Sequence, residues 1–273
     1  MKILIAADME GITGVVNWDQ VTPGHAEYAR FRRIMTGDVN AAVRGAFDGG
    51  ADEAVVADGH WNGANILIEE LDSRARLCNG SPSPLAMMEG IDTGVDGVFF
   101  IGYHARAGSQ NAILDHTWSD VRVANVWLNK VLVGEYGLNA AVAGYYGVPV
   151  IMISGDQTAC AQTIELLGPL EAAVVKQARS RFAAECLTPL EAQEQIAQSA
   201  RRAVERLAEG DAPDAYIVDA PVAITVEFRQ SDMADRASRL PGSHRAGLRI
   251  GFSSPDMVSA YQSFRAAVSL ATA

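Results

Sequence analysis

Two carboxylates, Asp8 and Glu10, lie two positions apart, directly after an apolar run at residues 3–7. The run predicts a buried strand, and residues two apart on an extended chain point to the same side. Gly11 follows and lets the backbone turn away with no side chain in its path. Two like charges held this close repel each other unless a cation or a shared proton lies between them. The pattern therefore predicts a metal site at the carboxyl end of a strand.

Two imidazoles occupy equivalent places further along the chain. Residues 53–57 and 97–101 predict two more buried strands, and His60 and His104 follow their ends. In open parallel sheets, sites form in the crevice beyond the carboxyl ends of the strands, so the four side chains are expected to meet there. Imidazole nitrogen with carboxylate oxygen suits zinc, with manganese, cobalt or iron as competitors. Bridging carboxylates are also compatible with a pair of metals.

Two further side chains have roles that the residues alone leave open. Glu135 follows Gly134 at a predicted helix start, where the helix dipole also favours a carboxylate, so capping is the alternative role. His116 is a candidate general acid or base with Asp115 beside it, although adjacent residues rarely orient each other's side chains.

Alternating strand and helix patterns in the first two thirds of the chain predict an α/β fold. Its mostly parallel sheet, flanked by helices, would carry the metal site. Thr36 is expected to cap a helix to about residue 47, and residues 122–134 predict a hairpin around Asn129-Lys130. A helix at 135–146 and a buried strand at 148–154 follow.

The character of the chain changes near residue 187. Thr188 is expected to cap a long amphipathic helix that reaches about residue 208. Strands at 223–228 and 248–252 and a helix from Pro255 follow. We therefore predict two domains: residues 1–187 as an α/β metal-binding catalytic domain, and residues 188–273 as a smaller α+β domain.

Bulk properties exclude several classes of protein. The formal net charge of −11 disfavours nucleic-acid binding, which needs a basic surface. Three cysteines without Cys-x-x-Cys spacing predict neither a disulfide framework nor a thiolate zinc site. The longest apolar stretch, residues 140–153, is too short to span a bilayer. With no signal-peptide pattern at the start, a cytoplasmic location is expected.

At these residues the chain resembles the DppA-type D-aminopeptidase family, a group of zinc metallopeptidases, over nearly its whole length. The matching segments are Asp-Met-Glu-Gly-Ile at 8–12, Asp-Gly-His at 58–60, Gly-Tyr-His-Ala-Arg at 102–106, Gly-Glu-Tyr-Gly-Leu-Asn-Ala at 134–140, Val-Ala-Gly-Tyr-Tyr at 142–146 and Ala-Val-Val-Lys-Gln at 173–177. The resemblance implies a centre of two zinc ions per subunit, with Co²⁺ or Mn²⁺ as substitutes, and His116 as the catalytic histidine. The implied metal ligands are Asp8, Glu10, His60, His104 and Glu135.

The implied reaction is removal of the amino-terminal residue of a short peptide by water activated at the two zinc ions, with D- or L-specificity open. The resemblance also implies a homo-oligomer, a decamer of two stacked pentameric rings. We expect Trp118 to line the pocket for the amino-terminal side chain, because it lies two residues from His116. Packing or a subunit contact is its alternative role.

Two other functions stay open. A di-metal amidase or phosphoesterase would use the same paired metals, but a phosphoester favours positive groups nearby and Arg106 is the only obvious one. A non-catalytic peptide-binding protein is the alternative from another class. The absence of an export sequence argues against that alternative.

Overall fold

The computed structural model describes residues 1–272, which form two β-sheets and six α-helices. The strands of these residues, β1 to β12 in chain order, are Lys2–Ala7, Glu53–Asp58, Ala75–Cys78, Gly97–Tyr103, Val123–Leu128, Val131–Val133, Val150–Asp156, Glu171–Ser180, Ala183–Cys186, Val222–Phe228, His244–Ala246 and Arg249–Ser254. The helices, α1 to α6, are Tyr28–Asp48, Glu135–Tyr145, Gln157–Leu167, Pro189–Glu209, Ser231–Ala237 and Met257–Leu270.

The first sheet has the strand order β3-β2-β1-β4-β7-β8-β9 and is parallel except for β9. From β1 the chain moves to β2 and β3 on one side and then returns to β4 on the other. The strand order therefore reverses at β1. Ligands of open α/β sheets bind in the crevice outside the carboxyl ends of the strands at such a reversal.

Strand β1 is buried on both faces. Ile3, Ile5 and Ala7 contribute to a core shared with α1 and α4, whereas Leu4 and Ala6 contribute to a core shared with α2, α6 and the second sheet. Strands covered on both faces are apolar at every position rather than at alternate ones. This explains why the run that precedes Asp8 is continuous, and it gives that residue a rigid support.

The second sheet is antiparallel, with the order β11-β12-β10-β5-β6, and α5 and α6 pack against it. Its β5–β6 hairpin comes from the first half of the chain, whereas α4 packs on α1 and β8 of the first sheet. The two sheets therefore do not divide at residue 187. The domain boundary between residues 187 and 188 stays a prediction.

The predicted fold class is confirmed, but some element bounds were wrong. Helix α1 begins at Tyr28, not at Thr36, because Phe31 and Met35 also face the core. Thr36 lies inside the helix, where its hydroxyl donates to the carbonyl of Arg32 over 2.9 Å. Thr188 does cap α4, and the predicted hairpin forms. The sequence analysis did not predict β3, α3, β8, β9, β11 or α5.

Among residues 1–272, no helix combines the length and apolar character that crossing a membrane requires.

Candidate metal centre

The loop after β1 is pressed against the end of β4. The backbone N–H of Asp8 donates to the carbonyl of Ile101 over 2.8 Å, and that of Gly11 donates to the carbonyl of Gly102 over 2.7 Å. A Cβ at Gly11 would lie 2.0 Å from the carbonyl oxygen of Tyr103, so only glycine allows this approach. The approach brings the carboxylates of the loop beside His104.

Three histidines have one ring nitrogen held by a main-chain carbonyl. The contacts are His60 Nε2 with Val21 O at 2.7 Å, His104 Nδ1 with Ala105 O at 3.0 Å and His116 Nδ1 with Leu114 O at 2.7 Å. A carbonyl oxygen only accepts, so we assign the hydrogen of each ring to this nitrogen. The second nitrogen of each ring is then free to act as a ligand or a base.

These second nitrogens all face carboxylates. His60 Nδ1 lies 3.1 Å from Glu10 Oε2, and His104 Nε2 lies 3.1 Å from Glu135 Oε1. His104 Nε2 also lies 3.3 Å from Asp8 Oδ2. The structure thus brings together the five side chains predicted as ligands. His116 Nε2 completes the cluster, 3.9 Å from both Glu10 Oε1 and Glu135 Oε1.

The donor atoms fit a metal ion. Asp8 Oδ2, Glu10 Oε2 and His104 Nε2 are buried and form no hydrogen bond among the described residues. Orphaned polar atoms of this kind are costly, and a shared cation would satisfy them. Two groups of three residues could each hold an ion: Asp8, Glu10 and His104, and His104, His116 and Glu135. Within each group, the ligand atoms all lie within 4.8 Å of one another. The predicted site residue His116 is therefore as close to the cluster as a ligand.

The charges of the cluster shift its pKa values strongly. Burial raises the pKa of Glu10, and the charge of Asp8 raises it further, although His60 acts against this shift. Burial alone would lower the pKa of His104, but Glu135 and Asp8 outweigh it and raise that pKa to about 10. His60 is raised in pKa in the same way, by Glu10 and Asp8 against burial. The negative charge of these carboxylates can thus be balanced either by protons on the histidine rings or by divalent cations.

Glu135 is the first residue of α2, but its carboxylate does not serve that helix. Its Oε1 accepts the backbone N–H of Trp118 over 2.7 Å and faces His104. The ring of Trp118 packs edge-on against Tyr261 and Phe264 of α6, with centroids 5.8 and 5.3 Å away. Trp118 therefore links the metal cluster to the core that α2, α6 and the second sheet share.

A cavity of about 440 Å³ opens onto the cluster. Its lining includes Trp118 and also Trp61, which is 63% exposed; contact of Trp118 with the amino-terminal side chain of a substrate stays a prediction. The pairing of Asp115 with His116 does not form, because Asp115 accepts hydrogen bonds from Gly108 and Ser109.

The sequence analysis did not identify the residues that bind the backbone of the loop at residues 10–15. Lys176 on β8 is buried, and its ammonium donates to the carbonyls of Glu10, Ile12 and Val15 over 2.7, 2.8 and 2.9 Å. Asp38 accepts two hydrogen bonds from Thr13 in the same loop. A lysine inside an apolar strand pattern was the available signal, since lysine is almost never buried without partners.

The fold and this cluster define a class: an α/β protein with a carboxylate–imidazole centre at the reversal point of its parallel sheet. The sequence profile of the D-aminopeptidase family matches residues 1–266. The chain belongs to the D-aminopeptidase family.

Two relatives agree with this assignment. The chain is 36% identical over 273 residues to the D-aminopeptidase of Bacillus subtilis (strain 168). The alignment covers 99% of this chain and 98% of the relative. It also matches the solved structure of the Zn-dependent D-aminopeptidase DppA from Bacillus subtilis, described as a self-compartmentalizing protease. That match has a TM-score of 0.95 at 34% identity and covers 99% and 98% of the two chains. The predicted family and its enzyme class, an aminopeptidase, are confirmed.

Proposed function

We propose that this chain is a zinc-dependent D-aminopeptidase that removes the amino-terminal residue of short peptides. One observation carries the proposal: three imidazoles, each held by a main-chain carbonyl, turn their free nitrogens toward three buried carboxylates. The cavity beside them gives a small molecule access. The preference for a D-residue and for zinc rests on the Bacillus subtilis relatives.

We propose two zinc ions per subunit, with cobalt or manganese able to replace them. The ligands are Asp8, Glu10, His60, His104 and Glu135. Two sets of contacts that share Asp8 support a pair of ions: His60 Nδ1 lies beside Asp8 Oδ1 and Glu10 Oε2, and His104 Nε2 lies beside Asp8 Oδ2 and Glu135 Oε1. Zinc bound there would supply Lewis acidity, which polarises a carbonyl and lowers the pKa of water.

His116 is proposed as the catalytic base. Burial lowers the pKa of its ring well below the ordinary value, and the positive charge of His104 lowers it further. The ring is therefore neutral at neutral pH, with its hydrogen on Nδ1 and a free electron pair on Nε2. In the proposed reaction, Nε2 takes a proton from water and returns it to the leaving amine.

An activity panel tests this function. Paired D- and L-aminoacyl amides and dipeptides are incubated with protein loaded with zinc, cobalt or manganese. We expect hydrolysis of the D-substrates, loss of activity on chelation, and two zinc ions per chain by elemental analysis. Hydrolysis of nitrophenyl phosphate in place of peptides would support the phosphoesterase alternative. Binding of peptides without turnover by zinc-loaded protein would support the non-catalytic alternative.

The proposed assembly is a decamer of two pentameric rings. The related self-compartmentalizing protease supports an oligomer. Large apolar side chains on the surface of this chain agree with it, among them Leu190, 82% exposed, and Ile217, 71% exposed. Light scattering should give ten times the chain mass of 29.1 kDa. A monomer at micromolar concentration would contradict the proposal.

A cytoplasmic location is part of the same proposal. Its support is that Cys78, Cys160 and Cys186 are all free thiols, as is usual in a reducing compartment. Fractionation of cells that produce the tagged chain tests the location.

A further inference from the structure

The cavity over the metal cluster carries an uneven distribution of charge. Five carboxylates line it: Asp8, Glu10, Asp58, Asp120 and Glu135. Among the described residues of the lining, the only lysine or arginine side chains are Arg122 and Arg265. Arg106, the basic residue that the sequence singled out, is not among the residues that line this cavity. Outside the metal cluster, these two guanidinium groups are therefore the basic groups of the described lining that an anionic group of a ligand can reach.

Both guanidinium groups are held in place by neutral oxygens. Arg122 Nε donates to Ser119 Oγ over 3.0 Å, and Arg265 Nη1 donates to the carbonyl of Pro84 over 2.6 Å. Within residues 1–272, neither side chain forms an ion pair with a carboxylate, although many other arginines of this acidic protein do. Each guanidinium has five N–H donors in a rigid fork, so most of its donors stay available to a ligand.

We propose that Arg122 and Arg265 bind the terminal carboxylate of the substrate, so that the enzyme favours dipeptides and tripeptides with a free carboxyl end. This inference rests on the proposed aminopeptidase function. A short peptide is a zwitterion at neutral pH, and its terminal carboxylate is attracted to the two guanidinium groups that line the cavity outside the metal cluster. Arginine binds carboxylates through paired hydrogen bonds, which gives orientation as well as affinity.

The short stretch of backbone between the metal cluster and Arg122 is compatible with a short substrate. Arg122 is four residues beyond Trp118, whose backbone N–H is bonded to Glu135 of the cluster. Four residues span at most about 14 Å, while an extended dipeptide or tripeptide spans about 7 to 10 Å. The backbone path from the cluster to Arg122 is thus limited to a length comparable with that of a short peptide.

The test compares D-alanylglycine with D-alanylglycinamide, which lacks only the negative charge. We expect the metal-loaded wild-type protein to favour the acid roughly 10- to 100-fold in kcat/KM, as expected for hydrogen bonds to a charged group. Arg122→Gln and Arg265→Gln should lower that preference, mainly through a higher KM for the acid, and leave the amide within about twofold. Arg265→Lys should restore part of the preference. Arg239→Gln, at an exposed arginine outside the lining, is the matched control.

Several outcomes overturn the inference while leaving the aminopeptidase function intact. One is equal hydrolysis of acid and amide by the wild-type protein; another is an equal loss for both substrates in the glutamine variants. Hydrolysis of neither substrate would refute the proposed function instead. Calorimetry with the reduced analogue of the dipeptide, in which CH₂–NH replaces the amide, tests the arginines without turnover. Equal affinity of the reduced acid and its carboxamide would then refute the arginine site by itself.

Discussion

The rings of His104 and His116 stack on each other, with centroids 3.9 Å apart and only 10° between their planes. Two imidazolium ions in this arrangement would repel strongly. The surroundings of the two rings give them different protonation states. The carboxylates around His104 favour its charged or metal-bound form. Burial and the charge of His104 keep His116 neutral. The stacked pair thus places a cationic or metal-bound imidazole against a neutral one.

This relationship predicts different results for the two histidines. His116→Ala should lower kcat by roughly 10²- to 10⁴-fold while zinc content stays near that of the wild type, because general-base catalysis is lost and the ligands remain. His104→Ala should lose zinc as well as activity. Elemental analysis of both variants beside the kcat measurement checks this. Loss of zinc from His116→Ala would instead make His116 a ligand.

Lys176 predicts an effect of a distant residue on metal binding. Lys176→Met leaves the carbonyls of Glu10, Ile12 and Val15 without their donor, and the side chain of Glu10 is one of the proposed metal ligands. We expect a loss of about 3 kcal/mol in unfolding free energy and a roughly tenfold weaker zinc affinity. Zinc competition with a chelating dye measures the affinity. The control is Lys130→Met, at an exposed turn; unchanged zinc affinity in Lys176→Met would show that the loop keeps its shape without the ammonium.

Trp118 predicts an effect on both packing and specificity. Trp118→Ala removes the ring between the cavity and the aromatic residues of α6, so we expect about 2 kcal/mol less stability. The enlarged pocket should favour bulkier apolar amino-terminal residues. Thermal unfolding and a panel of amino-terminal residues measure the two effects. Trp61→Ala, at the exposed tryptophan of the same cavity, should change stability little. An unchanged substrate profile in Trp118→Ala would remove Trp118 from substrate binding.

Asp38 predicts a specific dependence of stability on pH. Burial raises its pKa from 3.8 to about 6, despite two hydrogen bonds from Thr13 that lower it. The folded state therefore holds a proton that the unfolded state releases between these values, so the free energy of unfolding falls as pH rises from about 4 to 6.

Asp38→Asn should remove this contribution, which amounts to about 3 kcal/mol from the shift in pKa. Urea denaturation of wild type and variant between pH 4 and 8 measures the difference, in which the titration of the other groups cancels. Asp214→Asn, at an exposed carboxylate, should leave the profile unchanged. Parallel profiles for wild type and Asp38→Asn would contradict the raised pKa.

We predict that Glu10→Gln changes the stability of the protein in opposite directions with and without zinc. Zinc at a thousandfold excess over its dissociation constant should stabilise the wild-type protein by about 4 kcal/mol for each bound ion. Glu10→Gln should remove most of this gain. The same variant should make the metal-free protein more stable, because it removes repulsion between Asp8 and Glu10 in a buried site. Calorimetry with and without zinc checks both signs; a metal-free variant less stable than the metal-free wild type would contradict the repulsion.

The amino-acid sequence by itself determined the fold class and the candidate ligands. Continuous apolar runs identify strands buried on both faces, and Asp8, Glu10, His60 and His104 follow such runs directly. Because parallel strands end at the same edge of a sheet, their convergence follows from local patterns. Glu135 and His116 were assigned by resemblance, since neither directly follows a strand of the parallel sheet.

Only the tertiary structure decided which atoms meet. The hydrogen position of the His60 ring depends on the carbonyl of Val21 in a separate loop. Lys176 reaches Glu10 from 166 positions away, and Arg122 from the middle of the chain and Arg265 from near its carboxyl end line one cavity. Such contacts depend on how loops pack over the sheet, and no local propensity or periodicity encodes them.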